Sequence, residues 1–243
     1  MSWHYDYESA AQRKARIAQK VEKRRERGEA FEPVVCEVKR GIPAKSFWGV
    51  AWGENLESYS DYEHRLPRGR TYLRAGNVFD LEINEGNVFA YVTGSDIYEV
   101  SIDIEPMFDE PWAELKQRIA GKITNVVDLM AGDLGPGVME AVTDRGLGLF
   151  PTPSEIRFSC SCPDWADMCK HVASVMYAVG VRLDLQPELL FKLRGVDHHE
   201  LIDAAATDAD LSTDSDEAGI LEAGELSELF GIDLGDPECA VGE

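Results

Sequence analysis

The stretch Phe158-Ser159-Cys160-Ser161-Cys162-Pro163-Asp164-Trp165-Ala166-Asp167-Met168-Cys169-Lys170-His171 has the spacing C-x-C-x6-C-x-H. It gathers three of the chain's five cysteines and one of its five histidines into twelve consecutive residues. On an extended backbone residues i and i+2 point the same way, so Cys160 and Cys162 present both sulfurs together. A bend at Pro163 lets them converge on one ion. Six residues return the chain to Cys169 and His171, which stand at the start of an apolar, helix-forming run over residues 172–181. Zinc takes four thiolate or imidazole ligands in a tetrahedron, with Zn–S about 2.3 Å and Zn–N about 2.0–2.1 Å. A strand, a loop and a helix N-terminus carrying these four groups therefore predict a closed Cys3His zinc site. The helix dipole favours its thiolate charge.

A full shell excludes one class of chemistry. Catalytic zinc keeps an open position beside three protein ligands, whereas Cys160, Cys162, Cys169 and His171 leave none. The H-E-x-x-H pattern of zinc proteases and the H-x-E pattern of zinc deaminases are both missing from the sequence. No other nucleophile is set beside a base by any motif, and no enzymatic activity is expected. Cys36 and Cys239 are isolated and fall outside the ligand set.

Outward from the metal stretch, residues 71–105 read as strands. Segments 71–74, 78–83, 88–92 and 98–104 run apolar or alternate, separated by Ala75-Gly76-Asn77, Asn84-Glu85-Gly86-Asn87 and Gly94-Ser95-Asp96, which is turn chemistry. This predicts an antiparallel meander of four strands, with residues 155–159 as a further strand leading into the cysteines. Residues 34–38 suit one more short strand. Ser46 can cap a helix carrying Trp48, Trp52, Leu56 and Tyr59 on one aromatic face, which helical spacing assigns to a core. Short helices are expected over residues 111–119, 123–130 and 138–142, and again over 188–193 and 197–205. The fold class is α+β: an antiparallel β-meander with short helices, a small Cys3His zinc finger and an acidic C-terminal tail of disordered composition. The expected segments are a basic helical arm at 1–30, an α+β domain at 31–145, the finger with its helices at 146–205, and the tail at 206–243.

Charge divides along the same lines. The formal net charge of −21 over 243 residues argues against a protein that coats nucleic acid with its whole surface. Residues 1–30 nevertheless hold eight Lys/Arg against five Asp/Glu, and residues 203–243 hold thirteen Asp/Glu and no Lys/Arg. The basic helix that ends at Gly28 is either a solvated surface helix or a phosphate-contacting arm. Between residues 62 and 74, Arg65, Arg68, Arg70 and Arg74 fall around Pro67 and Gly69, which suggests an exposed loop. Arginine forks there can take phosphate oxygens while the neighbouring Tyr rings stack on bases. Alternatively, they pair with the protein's own excess carboxylates. Near the finger the only basic residues are Arg157, Lys170 and Arg182, so nucleic-acid recognition is expected at the arginine cluster rather than at the finger. In the tail, Leu226, Leu229, Phe230 and Ile232 form a small amphipathic island that either docks a partner protein or folds back on its own domain.

No run of about 18 apolar residues exists to span a membrane, and the N-terminus lacks the apolar core of a secretory signal. An odd number of cysteines without disulfide spacing suits a reducing cytoplasm.

The signature Cys160-x-Cys162-x6-Cys169-x-His171 resembles the SWIM zinc finger. The likeness extends to Phe158 and Ser159 before the first cysteine, Trp165 in the loop, and Val172 with a helix after the histidine. Phe47-Trp48-Gly49 with Trp52, Asn55-Leu56-Glu57-Ser58-Tyr59, Leu66-Pro67-Arg68-Gly69-Arg70 and Cys162-Pro163-Asp164-Trp165 are similar to the bacterial SWIM-finger proteins over roughly residues 30–205. The resemblance implies a zinc-binding module for DNA or protein contacts, associated with Swi/Snf-type DNA-translocating ATPases. A G-x-x-x-x-G-K-[ST] loop is absent, so the chain is expected to be an accessory partner of such a helicase rather than the ATPase itself.

Overall fold

The computed structural model describes residues 8–59, 64–120, 122, 126–201 and 203. Among the described residues the main elements follow in the order α1 (Ala10–Glu26), α2 (Phe47–Glu57), α3 (Leu66–Arg74), β1 (Val78–Asn84), β2 (Asn87–Thr93), β3 (Ile97–Ile104), α4 (Asp109–Ile119), α5 (Val126–Ala131), α6 (Pro136–Thr143), β4 (Ile156–Cys160), α7 (Lys170–Leu183) and α8 (Glu188–Leu193). The tail island Leu226, Leu229, Phe230 and Ile232 lies outside the described residues, as does Cys239.

The strands form one antiparallel sheet in the order β1-β2-β3-β4. Glu85-Gly86 joins β1 to β2, with Gly86 at φ 66°, the left-handed conformation that such a tight hairpin needs. Period-two alternation gives the sheet one apolar face, where Val88, Ala90, Val92, Val100 and Ile102 are wholly buried. α7 packs on that face. Apart from Lys170, Val181 and Arg182 it is buried nearly all round, as expected of a helix with apolar residues on every side. Its far side meets α2 and α3. Trp48 and Trp52 fill this second layer, and both indoles are satisfied: Trp48 Nε1 donates to the Leu129 carbonyl at 3.0 Å and Trp52 Nε1 to that of Met176 at 2.7 Å. The aromatic face of α2 is thus core, as its spacing predicts.

Three expectations fail. Residues 34–38 form no strand; Val34 makes a single backbone bond, to the Val78 carbonyl, and stays outside the sheet. Residues 71–74 are not a strand, and residues 66–74 are not an exposed loop. They are helix α3, with Pro67 in its first turn and Leu66, Gly69 and Leu73 buried. Proline fits a helix N-terminus because the N–H it lacks would have no partner there. Gly69 lies against α7 so closely that a Cβ would sit 2.6 Å from that of Ala173. Both residues look like loop punctuation in the sequence and serve helix packing in the fold. The fourth strand of the sheet is therefore β4, which lies beyond residue 146 and completes a sheet begun before it. The described residues belong to one compact unit.

No described helix is long and apolar enough to cross a membrane.

Candidate metal centre

Each of the four ligands is fixed by a different local device. Cys160 ends β4 opposite Val100 of β3, on the sheet's apolar side. The next residue is clamped twice to β3: Ser161 N–H donates to the Glu99 carbonyl at 3.0 Å and its hydroxyl accepts Glu99 N–H at 2.9 Å. This clamp sets the direction in which Cys162 leaves the sheet. Cys169 is the N-cap of α7, and its sulfur accepts Val172 N–H at 3.4 Å. His171 lies in the first turn. Its ring is held against Tyr98 at a centroid distance of 4.5 Å, and against Tyr72 edge-on at 5.4 Å.

The sulfurs of Cys160, Cys162 and Cys169 and a ring nitrogen of His171 all lie within 4.8 Å of one another. His171 Nδ1 is 3.9 Å from Cys160 Sγ and 3.7 Å from Cys169 Sγ. A tetrahedral zinc with the usual bond lengths requires ligand–ligand edges of about 3.6–3.8 Å, and these two separations are close to that length. Cys169 and His171 are buried, and Cys160 and Cys162 are half-buried. Crowding shows in the thiols themselves. Cys169 accepts a hydrogen bond from Cys160, and with His171 and the Val172 N–H this lowers it to about 4 despite its burial. Cys160 is pushed up because it donates that bond and is buried. Burial also raises Cys162. One thiolate thus forms ahead of the others, and a divalent ion would supply the charge that lets all three ionise. The four side chains are positioned to bind one zinc ion.

Beyond the ligands, His171 Nε2 is buried without a hydrogen-bond partner among the described residues. It faces Gly94 in the β2–β3 turn, where a Cβ would come within 2.8 Å of it. Tyr72, Gly94 and Tyr98 wrap the histidine, and the sequence alone gives no sign of this, since each is more than 70 residues away.

The arginines are now distributed. Arg65 pairs with Asp164 of the finger loop at 3.0 Å. Arg70 pairs with Glu57 and donates to the Tyr177 hydroxyl at 3.1 Å. Arg74 donates to the carbonyls of Val38 and Gly41. Arg68 is exposed and makes no hydrogen bond or ion pair among the described residues. The finger loop and the arginine cluster meet in the fold: Arg65 and Asp164, 99 residues apart, touch. Trp165, at the tip of the same loop, is 100% exposed.

Comparison with known proteins agrees with this geometry. The SWIM zinc finger family matches residues 158–180. An uncharacterized protein of Mycobacterium tuberculosis, Rv2102, is 33% identical over 175 residues, 70% of this chain; the chain spans 63% of that relative's length. No solved structure matches. Spacing, cage geometry and family match coincide on the same four side chains: this chain carries a SWIM zinc finger, with Cys160, Cys162, Cys169 and His171 as its Cys3His group.

Proposed function

We propose that this protein is a non-catalytic accessory factor of DNA-associated, helicase-linked processes, acting through nucleic-acid contacts, protein contacts or both, arranged around a structural zinc. The observation that carries this reading is the closed cage. Four protein donors fill the shell, three of them sulfur, and the cage joins a sheet edge to the central helix. A metal so enclosed holds surfaces in place rather than activating water. Its partner would be a Swi/Snf-type ATPase, and the tail island Leu226/Leu229/Phe230/Ile232 is the proposed protein-docking segment. Affinity capture from the native cell, with and without nuclease, tests the reading. A helicase-type ATPase is expected in the captured set, and its absence under both conditions overturns the proposal.

A second reading has an observation of its own. Three of the four arginines are engaged inside the fold, which favours a protein-interaction adaptor with a structural zinc and no direct nucleic-acid contact. On that reading the same ATPase is captured undiminished after nuclease, and the purified chain binds no oligonucleotide.

A further inference from the structure

Trp165 is the one tryptophan among the described residues that the fold leaves wholly in solvent; Trp48 and Trp52 are 0% and 1% exposed and Trp112 6%. It does not sit on a loose loop. The segment from Cys162 to Cys169 is held at both ends by metal ligands, Met168 beside it is buried, Asp164 accepts the Ala166 N–H at 3.3 Å, and Asp164 is tied to Arg65. An indole presented on so constrained a loop loses little freedom when it stacks on something.

The surroundings indicate what it stacks on. Arg65 neutralises Asp164, one of the two carboxylates flanking Trp165, and brings the N-terminal turn of α3 to the loop. Arg68, three residues further along that turn, is exposed and unpaired among the described residues. Lys170, immediately after Cys169, lies over the Tyr72 ring at 4.9 Å and has no carboxylate partner among the described residues. Asp167 is the one carboxylate of the loop with no cation partner among the described residues. Two cations without a carboxylate partner among the described residues, Arg68 one turn along from the Arg65–Asp164 contact and Lys170 five residues after Trp165, together with an exposed aromatic ring are the elements of a single-strand site, in which bases stack while arginine and lysine take phosphates. In a duplex the base faces are hidden from such a ring.

We propose that Trp165 is a stacking platform for an unpaired base of single-stranded DNA, with Arg68 and Lys170 binding the flanking phosphates. This rests on the DNA-associated reading above and adds to it a named strand form and a named anchor. The test uses the full zinc-loaded chain and a fluorescein-labelled oligothymidylate, read by anisotropy and by tryptophan emission. Binding is expected to quench the exposed indole. Trp165→Ala should weaken binding by about tenfold or more, and Trp165→Tyr should retain most of it. Zinc content should be unchanged in both variants. Arg68→Ala should reduce the slope of log affinity against log salt by about 0.7, one phosphate on a single strand. Duplex DNA and oligouridylate should bind more weakly. Wild-type affinity in Trp165→Ala, or a preference for duplex or for RNA, overturns the proposal. If Arg68→Ala then still weakens DNA binding, the stacking role fails and the DNA-associated reading stands. If no oligonucleotide binds at all and Trp165→Ala instead loses a captured ATPase, the loop docks protein and the single-strand assignment falls.

Discussion

At the scale of single residues, the metal centre depends on groups that carry no ligand atom. Replacing Cys162 with serine removes a soft donor from a half-buried site and leaves three ligands. Zinc content is expected to fall well below about one per chain, as atomic emission after dialysis would register. The body has its own core, so the variant should lose finger stability rather than unfold throughout, unlike small zinc domains that are unfolded without metal. Gly94 makes the sharper test. Its φ is unremarkable, and what matters is that a Cβ would press on His171 Nε2 from 2.8 Å. Gly94→Ala should displace the ring and weaken zinc affinity by about tenfold or more, the usual cost of disturbing a ligand's support. A chelator competition measures it, and unchanged affinity would mean the turn yields without moving the histidine.

At the scale of elements, the α3–α7 contact decides where the basic surface lies. Small residues make it close: Gly69 meets Ala173, and further along α7 Gly180 approaches Gly49 of α2, whose own Cβ would lie 2.4 Å from the Gly180 carbonyl oxygen. Gly69→Ala places a methyl 2.7 Å from the Ala173 carbonyl carbon. Backbone cannot swing aside as a side chain can, so a loss of about 1–3 kcal/mol is expected, read as a lowered denaturation midpoint. The same variant should loosen the Arg65–Asp164 link and reduce any oligonucleotide binding, though no charge has been altered. Trp48→Ala acts on the other helix of this layer. It removes a fully buried indole and takes one of two donors from the Leu129 carbonyl, which keeps the Gly132 N–H, and the cost should be about 3–5 kcal/mol.

At the scale of the whole molecule, one buried ion pair ties the start of β4 to the end of α8. Arg194, its side chain 3% exposed, pairs with Glu155 at 2.7 Å and also donates to the Glu105 carbonyl. Burial alone would raise the Glu155 carboxyl, but the Thr152 N–H and Arg194 outweigh it and hold it below the ordinary carboxylate value. Stability from a depressed carboxyl is fully present above the unfolded value of about 4.3 and is lost as pH falls through the lower folded one. Glu155→Gln should therefore flatten the acid limb of a stability–pH curve measured by urea unfolding. It should also lower stability at neutral pH, because the buried Arg194 loses its counter-charge. A curve parallel to wild type would show that the pair contributes nothing to acid sensitivity.

What the sequence determined by itself was local. The C-x-C-x6-C-x-H spacing, the hairpins around Gly86 and Gly94, the aromatic face of α2 and the apolar run of α7 all rest on chain geometry over a dozen residues or fewer. Strand and helix periods act at that range, so ligand set, metal and fold class were legible. Helix α3 was not, because Pro67 and Gly69 signal a break in any short window, and only the presence of Ala173 across the interface turns them into a helix start and a contact point. The wrapping of His171 by Tyr72, Gly94 and Tyr98 was hidden for the same reason. So was the meeting of Arg65 with Asp164, which needs the sheet, α7 and α3 all in place. Tertiary structure decided which distant segments share a surface, since close packing of side chains, not proximity along the chain, sets those distances. It brought an arginine helix against the cysteine loop and left that loop's tryptophan in solvent.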